Sequence, residues 1–78
     1  MYEKDLNLPL YYDCYSKFLT EKQASFFEMY YNEDLSLAEI AAVEGISRQG
    51  VRDALERARK KLYDMESKLG LAAQAMER

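Results

Sequence analysis

The segment from Ser36 to Leu62, SLAEIAAVEGISRQGVRDALERARKKL, constrains the fold of this chain more than any other. Ser36 with Glu39 makes a capping box, which predicts a helix start because each side chain can satisfy an orphaned backbone N–H of the first turn. Gly45 follows where the chain must bend, and Ser47 is the next N-cap. Helix, glycine-bearing turn and helix together predict a helix-turn-helix motif, whose second helix can enter a DNA major groove.

The second helix of the motif is predicted to extend well beyond it. Its apolar residues are spaced four, three, four, three and four positions apart, which is a heptad-like seam. The residues of this seam are Val51, Leu55, Ala58, Leu62, Met65 and Leu69. Gly70 interrupts the seam as a candidate C-cap, and both a short final helix and a bent continuation remain open after it.

The rest of the chain also has a helical pattern, because no segment sustains the alternation of a strand. An amphipathic first helix, with Pro9 in its first turn, is predicted by apolar residues four positions apart, namely Leu6, Leu10, Cys14 and Phe18. Thr20 and Gln23 form a second capping box, so a new helix begins there. We predict an all-α fold of about five helices, with residues 1–78 as one domain, 36–62 as its motif core, and an extended C-terminal helix.

Composition excludes several classes of function. With one cysteine and no histidine, the chain cannot form an internal disulfide framework, and zinc sites built from Cys and His are excluded. No glycine-rich phosphate loop and no nucleophile with a recognisable base are present, so we expect no catalytic residue, no cofactor and no metal. The first ten residues do not resemble a signal peptide, and no apolar run reaches the length of a membrane span. We therefore expect a cytoplasmic protein with no membrane partner.

Positive charge is concentrated in one part of an acidic chain. The net charge is −3, and residues 1–35 alone carry a net charge of −4. Residues 46–62 carry a net charge of +4, which places the cationic surface on the second motif helix. A local cationic surface is the electrostatic footprint of nucleic-acid binding, although the acidic remainder opposes general attraction to a polyanion.

The second motif helix supplies the candidate binding residues. Arg48, Gln49 and Arg52 are predicted to contact bases, because Arg can pair bidentately with guanine and Gln with adenine. Phosphate contacts are predicted for Arg57, Arg59, Lys60 and Lys61, with the helix N-termini at Ser36 and Ser47 near the backbone. The alternative is a solvated helix face with internal i,i+4 pairs, Asp53 with Arg57 and Glu56 with Lys60.

Aromatic residues form a second group of candidates. They exceed what one small core can bury, and aromatic and Met enrichment is typical of interface cores. Phe18 and Phe27 are predicted to lie in the core. The residues predicted to form a homodimer or partner interface are Tyr11, Tyr12, Tyr15, Tyr30, Met65 and Leu69. The alternative for all six is an ordinary place in the core of the monomer.

Four stretches carry a resemblance to a known family: L-T-x-K-Q, S-L-x-E-I-A, G-I-S-R-Q-x-V and L-x-R-A-x-x-x-L, at residues 19–23, 36–41, 45–51 and 55–62. In this order they resemble the helix-turn-helix of sigma factor region 4. The tyrosine-rich first helix, FFEMYY at residues 26–31 and SRQ at 47–49 extend the resemblance to the YlxM-type family of small helix-turn-helix proteins from Gram-positive bacteria. The chain departs from such relatives at Gly50 and Arg52, where a bulkier residue and an aromatic are common.

The resemblance implies a role in the signal recognition particle pathway, to which the family is linked through the neighbourhood of its genes. It also implies a region-4-like fold with DNA binding. We therefore expect a nucleic-acid-binding regulator whose partner is DNA or the RNA or protein of the signal recognition particle. The alternative is a protein–protein accessory factor of the targeting machinery, which binds through the aromatic surface without direct DNA contact.

Overall fold

The computed structural model describes residues 7–76 and contains five α-helices and one 3₁₀ turn over that range. The helices are α1 (Leu8–Tyr15), α2 (Glu21–Tyr31), α3 (Leu37–Glu44), α4 (Arg48–Leu69) and α5 (Leu71–Met76), with the 3₁₀ turn at Ser16–Phe18. The described part of the chain contains no strand. The prediction of an all-α fold with about five helices and a long helix after the turn is confirmed.

Side-chain caps define where three of the helices begin. Thr20 and Ser36 each head a complete capping box, in which the hydroxyl accepts the backbone N–H three residues later, at 3.1 Å in both cases. Ser47 accepts the N–H of Gly50 at 3.0 Å and so begins α4. These caps are local in sequence, which is why the residue pattern alone predicts them.

Two glycines in the left-handed region define where α3 and α4 end. Gly45 has φ 69° and Gly70 has φ 64°, a conformation that costs L-residues with a side chain roughly 1–2 kcal/mol. Beyond Gly70 the chain starts a separate six-residue helix, α5. Of the two alternatives left open by the sequence, the short final helix is the one that the structure contains.

The first helix is shorter than the four-residue repeat predicts. Helix α1 has Pro9 in its first turn and ends at Tyr15, where the 3₁₀ turn begins, while Leu6 lies outside the described residues. Because a 3₁₀ turn advances about 120° per residue rather than 100°, Phe18 leaves the apolar face and is 53% exposed. The prediction that Phe18 lies in the core is wrong, whereas Phe27, at 1% exposure, confirms its own core assignment.

Helix α4 joins two hydrophobic clusters. The motif cluster lies along its N-terminal half and consists of Phe26, Met29, Tyr30, Leu37, Ile40, Ala41, Val51 and Leu55. The α1 cluster lies along its C-terminal half and consists of Leu8, Tyr15, Leu19, Phe27, Ala58 and Leu62. The predicted seam of α4 therefore packs inside the monomer from Val51 to Leu62. None of the helices within residues 7–76 is long and apolar enough to cross a membrane.

Candidate nucleic-acid interface

The starts of α3 and α4 border one open groove. Its lining residues are Ser36, Leu37, Ala38, Arg48, Gln49 and Arg52. Four of these residues were predicted to contact nucleic acid, and they come from segments that are separated along the chain by the whole of α3. The fold therefore brings the three predicted base-contacting side chains next to the N-terminus of the preceding helix.

The turn between α3 and α4 fixes this arrangement. The N–H groups of Gly45 and Ile46 both donate to the carbonyl of Ala41, at 2.9 and 3.2 Å, so the last turn of α3 is closed by the backbone itself. Ile40 and Val51, both fully buried, belong to the motif cluster beneath the turn. Backbone caps and buried side chains together hold the two helix starts in a fixed relation.

The arginines of the groove keep their charge unneutralised. Arg48 is exposed and Arg52 is half-buried, and neither makes an ion pair with any residue in the described range 7–76. Other exposed cations do pair: Lys22 lies 3.2 Å from Glu44, and Lys68 lies 3.2 Å from Asp64. An unneutralised guanidinium is available for a bidentate contact with phosphate or with guanine.

The carboxylates near the groove are held by neighbours other than the predicted ones. Gln49 Nε2 donates to Asp53 Oδ1 at 3.0 Å, and Glu56 Oε1 lies 3.6 Å from Arg59 Nη1. A Gln amide has two N–H groups, so Gln49 retains one N–H and its oxygen, which is the pair that adenine requires. The predicted i,i+4 pairs of Asp53 and Glu56 are replaced by these contacts.

The predicted serines act first as helix caps. Ser36 Oγ accepts from the N–H of Glu39, and the N–H of Ser36 donates to the Glu39 carboxylate at 2.8 Å. Ser47 Oγ accepts from Gly50. Each hydroxyl has two acceptor lone pairs and one O–H, so the O–H of each serine remains able to donate to a phosphate oxygen.

The four predicted phosphate contacts do not share one surface. The Arg59 guanidinium lies 5.3 Å from the centre of the Tyr63 ring and beside Glu56, so it is partly enclosed within the monomer. Arg57, Lys60 and Lys61 are exposed and line a shallow depression together with Asp64. The spacing of about 100° per residue already places Arg59 on the flank of Arg48 and Arg52, apart from the other three cations.

Two of the predicted interface tyrosines are interior residues. Tyr15 is fully buried and Tyr30 is 4% exposed, so neither ring is available to a partner, and their assignment to an interface is wrong. Tyr15 belongs to the α1 cluster and Tyr30 to the motif cluster, because each sits where α4 passes over its helix.

The other four predicted interface residues lie nearer the surface. Tyr11 meets Tyr63 edge to face with ring centres 5.8 Å apart, and Met65 packs half-buried against the α1 cluster. Tyr12 stacks on Phe27 at 4.6 Å. Leu69 is 50% exposed.

The Tyr12 hydroxyl is part of a hydrogen bond between α1 and α2. It donates to the Glu28 carboxylate. Burial of the phenol and this bond raise the pKa of Tyr12 to about 12, so the ring stays neutral over the physiological range.

The sequence did not reveal a polar junction at the far end of α4. The Tyr15 hydroxyl donates to Glu66 Oε1 at 2.7 Å and accepts from the N–H of Leu71 at 3.0 Å. The Glu66 carboxylate accepts from the N–H groups of Ala72 and Ala73, at 3.1 and 3.0 Å. These two side chains accept hydrogen bonds from the first N–H groups of α5. Because Tyr15 and Glu66 are 51 residues apart, no local sequence pattern predicts that they meet.

Ionisation at this junction is shifted in opposite directions. Burial, followed by the bond to Glu66, raises the pKa of the Tyr15 hydroxyl above its usual value. The hydrogen bond from Tyr15, reinforced by the backbone N–H groups of Ala72 and Ala73, lowers the pKa of Glu66. The junction is therefore most stable with a neutral phenol and an ionised carboxylate.

Comparison with known proteins agrees with the geometry of the motif. Residues 2–78 match the model of a family described as "UPF0122: Putative helix-turn-helix protein, YlxM / p13 like". A UPF0122 protein of Caldanaerobacter subterraneus subsp. tengcongensis is 51% identical over 72 residues, which cover 92% of this chain and 62% of that protein.

Two further relatives give the same assignment. A UPF0122 protein of Clostridium botulinum is 43% identical over 76 residues, covering 97% of this chain and 70% of its own length. A UPF0122 protein of Desulforamulus reducens is 51% identical over 61 residues, which cover 78% of this chain and 52% of that protein. The chain thus spans between about half and seven tenths of the length of these relatives. On its fold, its motif and these matches, the chain belongs to the UPF0122 family of YlxM/p13-like helix-turn-helix proteins.

Proposed function

We propose that this protein is a nucleic-acid-binding regulator that acts through the groove between α3 and α4. The observation that carries the proposal is the convergence of Arg48, Gln49 and Arg52 on the N-terminus of α3, with both arginines free of ion pairs in the described chain. In helix-turn-helix proteins the N-terminal residues of the second helix contact base edges while the first helix crosses the backbone. The surface has the side chains that both tasks require.

The charge pattern supports the same function. Residues 46–62 carry +4, whereas residues 1–35, which precede the motif in the sequence, carry −4. Attraction to phosphate would therefore be local to one helix rather than spread over the molecule. Such a protein binds weakly to nucleic acid in general and depends on direct contacts for useful affinity.

The cellular role is proposed from the resemblance to the YlxM-type family. The neighbourhood of that family's genes supports a function in the signal recognition particle pathway, in the cytoplasm. The nucleic acid is then either a DNA site that controls this pathway or the RNA of the particle. No enzyme activity is needed for either role.

Fluorescence anisotropy of labelled nucleic acid across a salt series tests the proposal. The ligands are duplex DNA and signal recognition particle RNA, titrated in parallel. The Arg48→Ala/Arg52→Ala variant is expected to lose binding to whichever ligand is tighter, because both arginines contact it directly. Lys17→Glu is the matched control, since it lowers the net charge by the same two units at an exposed position outside the groove and should bind like wild type at the same ionic strength.

Binding that weakens steeply with salt and disappears in the arginine variant supports the function. Equal binding by the arginine variant and the control would show that the groove is not the site. No binding of wild type to either ligand at low salt would refute nucleic-acid binding itself.

A second candidate function is protein binding as an accessory factor of the targeting machinery, or as a homodimer. The observation that favours it is that Leu69, predicted as an interface residue, remains 50% exposed, as does Leu71 at 45% on the other side of Gly70. Sedimentation equilibrium of wild type and Leu69→Lys would test self-association. A monomer in both cases would exclude the homodimer.

A further inference from the structure

A second group of unneutralised cations lies on α4, outside the groove. Arg57, Lys60 and Lys61 are exposed, and none of them pairs with an acid within residues 7–76. The nearest acidic side chain in their depression, Asp64, is already 3.2 Å from Lys68. Three cations with no internal partner make a site for an anion.

This second group faces a different direction from the groove. At about 100° per residue, Arg52 lies roughly 40° around the helix from Arg48, whereas Lys60, Arg57 and Lys61 lie roughly 120°, 180° and 220° around, with a mean of about 170°. The two cationic flanks are therefore about 150° apart, and their centres are separated by about 14 Å along the helix axis. A single phosphate strand running along one flank cannot contact both groups.

The strip between the flanks carries Gln49, Asp53 and Glu56. Lys60 emerges from the same strip about one to three turns further along the helix, where its long side chain can reach the Arg57 flank. An α-helix with its side chains is about 10–12 Å wide, and the major groove of B-form DNA is about 12 Å wide with a phosphate strand on each side. If this strip faces the base edges, each cationic flank meets one strand. The major groove of A-form RNA is too deep and narrow for a helix to enter, so the two-flank arrangement selects a B-form duplex.

We infer that Arg57, Lys60 and Lys61 form a second phosphate-binding site, which contacts the strand opposite the one bound by Arg48 and Arg52 in a B-form DNA duplex. This inference rests on the proposed function and narrows its ligand. On the C-terminal half of α4, the flank near Arg59 is covered by α1 through the contact of Tyr11 with Tyr63, which leaves the Arg57 flank open to a ligand.

The test compares two variants with the same net charge. Arg57→Ala/Lys60→Ala/Lys61→Ala removes the proposed site, and Lys17→Glu/Lys22→Ala lowers the net charge by the same three units at exposed positions elsewhere. Both sets are exposed positions, and circular dichroism verifies that each variant is folded. Anisotropy is measured with a mixed-sequence 20-base-pair DNA duplex and the matching RNA duplex across a salt series.

We expect the first variant to bind DNA about tenfold or more weakly at 0.1 M salt, with a log–log salt slope reduced by about 2–3, since each phosphate contact contributes about 0.9. The control variant should have the same salt slope as wild type. Wild type should bind the RNA duplex more weakly than the DNA duplex. Equal slopes for the two variants, with binding still lost in Arg48→Ala/Arg52→Ala, would overturn this site and leave the proposed function intact.

Two other outcomes also decide the matter. Equal affinity of wild type for the RNA duplex would overturn the choice of a B-form ligand. Absence of wild-type binding to either duplex or to signal recognition particle RNA at low salt would overturn the proposed function, and the second site with it.

Discussion

The two halves of α4 are packed in different ways. In the motif cluster, aliphatic side chains such as Ile40, Val51 and Leu55 lie beneath a turn whose caps are made within three or four residues. In the α1 cluster, Phe27 is stacked between Tyr12 and Tyr31, with ring centres 4.6 and 4.4 Å away.

The polar groups of the two halves also differ, in whether they are bonded inside the monomer. The junction at Tyr15 and Glu66 uses its hydrogen bonds inside the monomer, whereas Arg48 and Arg52 in the motif half have no internal ion partner among the described residues. The comparison teaches that the polar groups at the far end of α4 hold the fold, whereas the arginines at its start have no internal ion partner within residues 7–76. Substitutions at the junction and in the groove should therefore separate stability from binding.

The largest expected effect is the loss of stability in Phe27→Ala. Removing a ring that is 1% exposed and stacked on both sides should lower the free energy of unfolding by about 3–5 kcal/mol. Urea denaturation followed by circular dichroism measures it. Phe18→Ala is the control, since that ring is 53% exposed and its loss should cost less than about 1 kcal/mol. Similar losses in both variants would contradict the packing described for the α1 cluster.

A smaller effect is expected at the start of α4. Ser47→Ala removes the acceptor for the N–H of Gly50 and should lower the free energy of unfolding by about 1 kcal/mol, with faster exchange of that amide. Ser67→Ala, at an exposed position inside the same helix, should be neutral or slightly stabilising, because alanine is the better helix former. If Ser67→Ala destabilises as much as Ser47→Ala, the cap is not the cause.

The polar junction is expected to make stability depend on pH at both extremes. The pKa of Glu66 is lowered from 4.5, so its contribution is present above pH 4.5 and is lost as pH falls through the folded pKa. The pKa of Tyr15 is raised from 10.0, so its contribution is present below pH 10 and is lost as pH rises through the folded pKa.

The difference in unfolding free energy between wild type and Tyr15→Phe isolates this junction from the other acids. It should be constant between about pH 5 and 9 and shrink outside that window, with faster exchange of the Leu71 amide in the variant. Binding of nucleic acid should be unchanged, because neither Tyr15 nor Glu66 lines the groove or the depression that Arg57 lines. A difference that stays constant to pH 3 would rule out the contribution of Glu66.

The smallest expected effect is at Gly50. An added Cβ would lie 3.3 Å from both Ile46 Cδ1 and Ser47 Oγ. Ile46 is 41% exposed and can move, whereas the Ser47 hydroxyl is fixed by its capping bond. Gly50→Ala should therefore raise the free energy of unfolding by less than the full helix-propensity difference of about 1 kcal/mol. Thermal unfolding measures the change. A loss of stability would mean that disturbing the capping bond of Ser47 costs more than the added helix propensity of alanine contributes.

The sequence predicted the features that are decided locally. The capping pairs at Thr20 and Ser36 and the left-handed glycines at Gly45 and Gly70 depend on residues within one helical turn. The same local rules placed Arg48, Gln49 and Arg52 at the start of α4, and the groove they share with α3 follows from the turn. What these residues bind stays a prediction.

Features that depend on distant partners were not predictable. Tyr15 is buried in a cluster with Ala58 and Leu62 of α4 and bonds to Glu66, which is 51 residues away. Tyr30 is buried because α4 passes over α2. Phe18 fits the apolar repeat of an α-helix, but the α-helix ends before it and Phe18 lies in a 3₁₀ turn. The sequence gives no strong signal for that turn. Periodicity shows that a face is apolar, but the depth of each ring depends on which helix crosses it.

Helix α4 is continuous over 22 residues and contributes buried side chains to both clusters. No break in this helix separates the two halves, so unfolding of α4 removes buried side chains from both clusters at once. The molecule should accordingly unfold as one cooperative unit, with the slowest-exchanging amides of α4 reporting a single global opening free energy.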